Sequence, residues 1–290
     1  MNQRVRRFAC TQCGKCCDRS PEVSLSEAAA LADIFVFRLM FRLYWLPRRL
    51  SDYLANDDTP ANASAAFYEK KRLLSAFAAR KSQAKVRRDG KSIDYTKYLM
   101  ISALALDTNS GACSALNGNR CGIYDRRPLS CRTVPFHYSR VEALSEAVLE
   151  TFVETPGYRC DTGETAGIVL EDGRIVVSQI KTARDEAIMS AARDQHWGQA
   201  IVRRMNIASP DARILPTLEE VEANAQFAAT TVSMLPAWRT AADMGIMSME
   251  ECRKLTALQI DVVGQELDAG RALRMRGKHW STCGRSIGAI

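Results

Sequence analysis

The sequence lacks an apolar run long enough to cross a membrane. Its richest apolar stretch covers residues 28–46, and Asp33, Arg38 and Arg42 interrupt it. A spanning helix needs about 20 consecutive, mostly uncharged residues. The first residues, MNQRVRRFACTQCGKCC, are basic but contain no apolar segment, so a secretory signal is not expected. These absences predict a cytoplasmic protein with no transmembrane segment, in a compartment that keeps thiols reduced.

Several catalytic signatures are also missing. The chain contains no G-x-x-x-x-G-K-[ST], G-x-G-x-x-G, H-E-x-x-H or G-x-S-x-G motif. This argues against a P-loop, a dinucleotide-binding fold, a zinc protease helix and a hydrolase nucleophile elbow. The spacing C-x-x-x-C-x-x-C, which is usual for radical methyl transfer, is absent as well.

The composition is that of a globular protein, with 47% hydrophobic and 25% charged residues. A length of 290 residues allows one large domain or two of ordinary size. The net charge of +7 permits contact with nucleic acid or acidic lipid. However, the aromatic residues of the basic stretch from Ala65 to Arg88 are not interleaved with its lysines and arginines in a pattern for base stacking. We therefore do not expect a nucleic-acid partner.

Cysteine, by contrast, is abundant. Eight of the ten cysteines precede residue 161: Cys10, Cys13, Cys16, Cys17, Cys113, Cys121, Cys131 and Cys160. In a reducing compartment this number favours metal or redox chemistry over disulfides. Of the other two, we expect Cys252 to pack in a core helix and Cys283 to be a tail thiol. The distribution predicts a metal-binding domain over residues 1–180 and a helical region over residues 181–290.

The patterns predict an α+β fold, in which a small antiparallel sheet and loops gather the cysteines and helices pack against them. Ser24 and Glu27 have the spacing of a capping box, and the helix that they open is expected to run to Leu46. A second helix is expected from Ala65 to Arg88.

Further elements follow from apolar runs and capping pairs. Strands are expected over Tyr98–Leu106, Thr133–Arg140 and Ala147–Glu154. Helices of the C-terminal region are expected to open at Thr182 with Asp185, Thr217 with Glu220, and Ser248 with Glu251.

The first cysteine cluster has the spacing C-x-x-C-x-x-C-C, from Cys10 to Cys17. Two cysteines three residues apart in a tight turn can direct both sulfurs at one point, and the amides between them can donate hydrogen bonds to the thiolates. Gly14 follows Cys13 where the turn can require a positive φ angle. Three ligands within seven residues are a strong indication of metal binding.

The second cluster contains Cys113, Cys121, Cys131 and Cys160. Pro128 and Pro135 stiffen the loop around it, which lowers the entropy cost of presenting sulfur to a metal. Four thiolates around a zinc ion or a cubane cluster leave about two net negative charges, which need compensation if buried. Cations in the same stretch are expected to supply it: Arg120, Arg126, Arg127 and Arg132. Arg127 and Arg132 could instead anchor an anionic substrate or cofactor.

The run Phe8-x-Cys10-x-x-Cys13-Gly14-x-Cys16-Cys17 resembles the YkgJ-type cysteine-cluster family. The resemblance continues with Cys113, with the segment Cys121-x-Ile-Tyr-x-x-Arg127-Pro-x-x-Cys131-Arg132-x-x-Pro135, and with Cys160. The family has eight characteristic cysteines and is described as zinc- or iron-chelating; all eight have a counterpart here. A relative is the flagellin lysine N-methylase, which is linked to an iron–sulfur cluster. The resemblance implies metal binding, and implies methyl transfer only through that relative.

Two questions stay open in the sequence. Eight thiolates can form one site or two; we favour a single cluster with ligands from both groups, although Cys16 and Cys17 rarely reach one ion together. The metal is either a 4Fe-4S cluster, which the C-x-x-C-x-x-C run favours, or zinc, for which C-x-x-C pairs are commonest.

Three hypotheses for function follow. The first is an iron–sulfur protein that transfers electrons or assists the redox modification of a protein substrate or redox partner. The second is a zinc-stapled binding module without catalysis, and the third is an enzyme that methylates protein lysines. His137 could ligate or donate a proton, but a structural role is the simpler interpretation.

Overall fold

The computed structural model describes residues 4–17, 20–55, 62–88, 90–106, 112–205, 215–224 and 230–275. The helices in these ranges are α1 Leu25–Ala30, α2 Leu50–Leu54, α3 Ala63–Phe77, α4 Leu129–Arg132, α5 Ser145–Val153, α6 Ser178–Arg193, α7 Gln195–Met205, α8 Leu218–Asn224, α9 Leu235–Asp243 and α10 Met249–Met275. The strands are β1 Val5–Arg7, β2 Glu22–Val23, β3 Phe37–Pro47, β4 Arg80–Arg88, β5 Lys91–Ala105, β6 Leu116–Asn117, β7 Arg120–Cys121, β8 Ile168–Glu171, β9 Arg174–Ile175 and β10 Thr230–Ser233. The predicted α+β class with a helical C-terminal region is confirmed.

The largest sheet is built around β3 and β5, which pair antiparallel from Phe37 opposite Ala105 to Pro47 opposite Tyr95. Strand β10 pairs with the other edge of β3, while β2 and β4 pair with successive parts of β5. Smaller sheets join β1, β8 and β9, and join β6 to β7.

The main core lies against one face of β3. Side chains alternate between the two faces of a strand, so Phe37, Leu39 and Phe41 point the same way, and all three are buried in the largest hydrophobic cluster. Trp197 of α7 and Trp238 of α9 cover them and are at most 2% exposed. The division at residue 180 stays a prediction, since residues on both sides of it share this core.

The helix predicted from Ser24 to Leu46 is wrong beyond its first turns. Ser24 Oγ accepts a hydrogen bond from the Glu27 amide, as the capping pattern requires, but α1 ends at Ala30. Residues 37–47 form β3 instead, because apolar residues recur there at every second position. Arg38 and Arg42, which interrupt the apolar run, occupy the opposite face of that strand.

The helix predicted over Ala65 to Arg88 is correct only in its first half. Helix α3 ends at Phe77, and the basic residues from Arg80 onward form β4. Strand β4 pairs with β5 alone, and lysines and arginines are common on such an edge because they oppose pairing with other chains.

The other local predictions have mixed outcomes. The strand at Tyr98–Leu106 is confirmed as part of β5, whereas residues 145–153 form helix α5 and residues 133–140 form turns. Thr182 lies inside α6, so it does not open that helix. The remaining two capping boxes are confirmed. The Thr217 amide donates to the Glu220 carboxylate, and the Glu220 amide donates to Thr217 Oγ1. In the same way, the Ser248 amide donates to the Glu251 carboxylate, and the Glu251 amide donates to Ser248 Oγ.

None of the described helices is both long and apolar enough to traverse a bilayer.

Arg184 of α6 holds the turns that follow α4 against the helix. Arg184 is 6% exposed, and its guanidinium donates to the carbonyl oxygens of Phe136 at 2.8 Å, His137 at 2.9 Å and Arg140 at 3.1 Å. Replacing Arg184 with methionine keeps most of the apolar stem but removes the donor to the Phe136 and Arg140 carbonyls, while the His137 carbonyl keeps the Arg140 amide. Because a buried unsatisfied acceptor costs about 1 to 3 kcal/mol, we expect a loss of about 3 kcal/mol in the free energy of unfolding, measured by urea denaturation.

The control is Arg193→Met on the same helix, whose side chain is exposed. A surface change of this kind should alter the free energy of unfolding by less than about 0.5 kcal/mol. Equal effects of the two substitutions would contradict a structural role of the Arg184 hydrogen bonds.

Candidate metal centre

The eight clustered cysteines surround one cavity of about 200 Å³. They come from three separate stretches of the chain, at residues 10–17, 113–131 and 160. All of them line the cavity: Cys10, Cys13, Cys16, Cys17, Cys113, Cys121, Cys131 and Cys160. Phe8, Phe35 and Phe152 contribute apolar walls.

The first stretch is turned tightly by two residues in the left-handed region. Gln12 has a φ of 56° and Gly14 a φ of 75°, and the following residues Lys15–Cys17 form a single 3-10 turn. The turn is closed by a hydrogen bond of 3.0 Å from the Cys17 amide to the Gly14 carbonyl. The positive φ expected at Gly14 is therefore confirmed.

A hairpin of the second stretch lies directly against this turn. Strands β6 and β7 pair Leu116 with Cys121, and the hairpin residue Asn119 approaches Gly14. A Cβ atom on Gly14 would lie 2.9 Å from the Asn119 carbonyl oxygen, a distance that real Cβ atoms do not reach. Glycine at position 14 thus serves both the turn and the contact with the hairpin.

Cys131 is presented by the short helix α4. The first amide of this helix, that of Leu129, donates a 2.6 Å hydrogen bond to the half-buried carboxylate of Glu27 in α1. Burial raises the pKa of Glu27, while the Leu129 amide opposes that shift. This hydrogen bond links α4, which carries Cys131, to α1, which packs against the main sheet.

The surroundings of the cysteines lower the pKa of some thiols and raise the pKa of others. Amides of Lys15 and Arg159 donate to the Cys13 sulfur and lower the pKa of Cys13. The Cys16 thiol donates to the Cys17 sulfur, which raises the pKa of Cys16 and lowers the pKa of Cys17.

The pKa values of two further cysteines are raised. Burial, with the neighbouring thiolates adding to it, raises the pKa of Cys131 to about 12 and that of Cys160 to about 11. A bound cation would reverse this cost, because a coordinating thiol loses its proton to the metal.

None of these eight cysteines is fully buried, and none of them forms a disulfide. Cys10 is exposed and the other seven are partly exposed. Cys252, as expected, is a core residue and is 7% exposed. Across the described part of the chain, no group of three or more His, Cys, Asp or Glu side chains is arranged around a single ion position.

The arginines take different positions. Arg120 and Arg127 line the cavity, and the Arg127 guanidinium stacks 3.8 Å from the centre of the Tyr124 ring. Arg126 pairs with Asp33, with both contacts at 3.1 Å. Arg132 lies 3.6 Å from Glu186 and is not among the cavity residues.

His137 does not line the cavity. Its Nδ1 lies 2.7 Å from Ser139 Oγ and accepts a hydrogen bond from the Ser139 amide. Burial lowers the pKa of His137 to about 4, so the ring is neutral at physiological pH. The simpler, structural interpretation of this histidine agrees with its contacts, whereas Cys283 lies outside the described residues.

Two residues that position the cysteines were missed in the sequence. Asn119 sits in an Asn-Gly-Asn hairpin sequence, which is a recognisable turn signal between Cys113 and Cys121. Glu27 has no local signal for its role, because its partner amide at Leu129 is 102 residues away. The sequence pattern indicates Glu27 only as a member of the capping box with Ser24.

Comparison with known proteins supports the resemblance. Residues 55–161 match a family model described as "CxxCxxCC: Putative zinc- or iron-chelating domain". The match contains Cys113, Cys121, Cys131 and Cys160, and it begins after the run from Cys10 to Cys17. No curated protein matches the chain, and no solved structure does. Residues 55–161 of this chain are thus similar to the CxxCxxCC domain, which supports the resemblance to this family of zinc- or iron-chelating domains.

Proposed function

We propose that this chain binds metal through its clustered cysteines, and that the metal is an iron–sulfur cluster used in electron transfer or in redox-assisted modification of another protein. The observation that carries the proposal is the meeting of eight cysteines, none of them in a disulfide, from three distant stretches of the chain at one cavity. Thiolates are the donors that zinc and iron–sulfur clusters take in proteins.

The exposure of these thiols supports ligation over simple packing. A cysteine that serves as a small core residue is buried, as Cys252 is. The eight cavity cysteines are partly or fully exposed, and no residue between 10 and 17 is buried. Apolar packing alone therefore gives little reason for these segments to meet.

One feature favours an iron–sulfur cluster over a single zinc ion. The run Cys10-x-x-Cys13-x-x-Cys16 is like that of ferredoxins, and amides of Gln12, Lys15 and Arg159 donate to its sulfurs. Such hydrogen bonds tune the redox potential of a cluster.

The remaining residues fit an exchange of electrons with a partner. Cys10 is exposed, so a centre beside it would lie close to the protein surface. Arg120 and Arg127 line the same cavity and would offset the negative charge of the thiolates. Arg132 would act more remotely, since it faces Glu186. When bound, a cluster would accept and release single electrons.

The test is elemental and spectroscopic analysis of protein purified without oxygen. We expect a brown protein that contains iron and acid-labile sulfide and whose visible absorption bleaches with dithionite. The variant Cys252→Ala serves as the control, because Cys252 packs in the core and its loss should leave the iron and sulfide content unchanged.

The other outcomes are equally clear. A colourless protein with stoichiometric zinc would replace the iron–sulfur proposal with a zinc-stapled module that has no redox role. Folded protein that carries neither metal after anaerobic purification would overturn metal binding itself.

A further inference from the structure

A second cavity, of about 400 Å³, lies between the main sheet, helix α3 and the turns that follow α4. Its lining residues come from β3, β5, α3 and residues 138–144, with Asp194 at the end of α6. Among the described residues, none lines both this second cavity and the cavity of the cysteines. The volume is within the range of about 300 to 1,000 Å³ that is usual for sites of small molecules.

The walls of the second cavity combine apolar and charged side chains. Its apolar residues include Leu73, Leu74, Phe77, Met100, Val141 and Leu144. Its charged residues are three cations, Arg42, Lys70 and Arg140, and two carboxylates, Glu22 and Asp194. A mostly apolar wall with a few polar groups is typical of a site that orients a small organic molecule.

Both carboxylates of the second cavity already have donors on the protein. Arg42 donates to Glu22 Oε2 at 2.9 Å, and Ser102 Oγ donates to Glu22 Oε1 at 2.8 Å. Asp194 Oδ2 accepts from the Ser26 amide at 2.8 Å and from the Ser26 hydroxyl at 3.2 Å. Since these acceptors are satisfied from within the fold, neither carboxylate requires a cationic ligand.

Lys70 is in the opposite situation. Its side chain is half-buried on α3, and among the described residues no carboxylate lies within ion-pair distance of its ammonium group. Burial lowers the pKa of Lys70, and no neighbouring anion opposes that shift. Because a partly desolvated cation is stabilised by an opposite charge, the cavity is suited to a ligand that brings a negative group to Lys70.

Tyr138 supplies a hydrogen-bond donor to the same cavity. Its side chain is 7% exposed and lines the cavity, and its hydroxyl makes no hydrogen bond to a described residue. Burial raises the pKa of Tyr138, so the hydroxyl keeps its proton and can donate. Polar groups at such buried positions normally have a partner, and a ligand oxygen would provide one.

We infer that the second cavity binds a small organic anion, whose acidic group meets the Lys70 ammonium and whose apolar body lies against Leu73, Phe77 and Met100. The site is separate from the cysteines and does not depend on metal. Lys70 would supply the charge that selects an anion, while the apolar walls would supply the contact area.

The test uses anilinonaphthalenesulfonate, a fluorescent anion with an aromatic body, and N-phenylnaphthylamine, which has the same rings without the sulfonate. We expect the full-length protein to bind the sulfonate and Lys70→Met to weaken that binding about tenfold, because a hydrogen bond to a charged group is lost. The affinity for N-phenylnaphthylamine should change less than about twofold, since methionine keeps the apolar stem of the lysine.

Two further variants fix the interpretation. Lys70→Arg keeps the positive charge and should retain most of the affinity for the sulfonate. Lys71→Met removes a neighbouring exposed cation that does not line the cavity, and should leave the binding of both probes unchanged. Far-UV circular dichroism confirms that each variant is folded. No binding of the sulfonate to the wild type, equal affinities in Lys70→Met and the wild type, or equal losses in Lys70→Met and Lys71→Met would each overturn the anion site.

Discussion

Removing the metal should unfold the segments that present the cysteines while the β3–β5 ribbon stays folded. No residue in 10–17 or 112–127 is buried. The regular structure of these two segments is limited to the 3-10 turns Lys15–Cys17 and Tyr124–Arg126 and the two-residue strands β6 and β7. Such segments have too little apolar burial to offset the conformational entropy of ordering them. The metal must supply the difference, which for a structural thiolate site is on the order of 10 kcal/mol.

Hydrogen exchange measured by mass spectrometry resolves this expectation along the chain. Peptides that cover residues 10–17 and 112–127 should lose their protection when a chelator strips the holoprotein. Peptides from residues 37–47 and 95–105 are the internal control, because β3 and β5 pair along their whole shared length and contain Phe41 and Leu99 of the main core. Unchanged protection of the cysteine segments after complete metal removal would contradict a stabilising role of the metal.

The sequence signals of this chain differ in how much of the fold they require. The cysteines of the candidate site could be proposed from a local signal, because the spacing from Cys10 to Cys17 needs no knowledge of the fold. The α+β class followed from the mixture of capping boxes and apolar runs. Both features depend on residues within a few positions of one another.

The wrong predictions concern stretches whose apolar residues fit both the period of a helix and the period of a strand. Residues 37–47 and 80–88 read as extensions of helices, but pairing with β5 makes both of them strands. The strand predicted over Ala147–Glu154 is wrong, because Ser145–Val153 form α5; a short apolar run fits either period. Tertiary pairing decided each case.

The arrangement of the cysteines could not be read from spacing at all. It depends on hydrogen bonds between residues more than 90 positions apart, such as that from the Cys113 amide to the Cys17 carbonyl. A sequence pattern identifies which residues can ligate, whereas the meeting of three distant stretches at one cavity is a property of the folded backbone.

Replacing Gly14 with alanine should be the most damaging single change near the cavity that removes no sulfur. Alanine at a φ of 75° costs about 1 to 2 kcal/mol by itself. In addition, its Cβ would lie 2.9 Å from the Asn119 carbonyl oxygen and 3.2 Å from Asn119 Cα. These are backbone atoms, so the contact can be relieved only by moving the hairpin away from the turn. We expect the variant to lose most of its metal on dialysis and to unfold at a lower urea concentration.

Gly118→Ala is the matched control, because it separates backbone strain from the loss of contact. Gly118 lies in the same hairpin with a φ of 60°, but a Cβ there would meet no atom within 4 Å. It should therefore cost a similar conformational free energy, about 1 to 2 kcal/mol, while the metal content stays near that of the wild type. If both variants lose metal equally, conformational strain alone controls the site. If only Gly14→Ala does, the close approach of the two cysteine segments is what allows the cavity to hold metal.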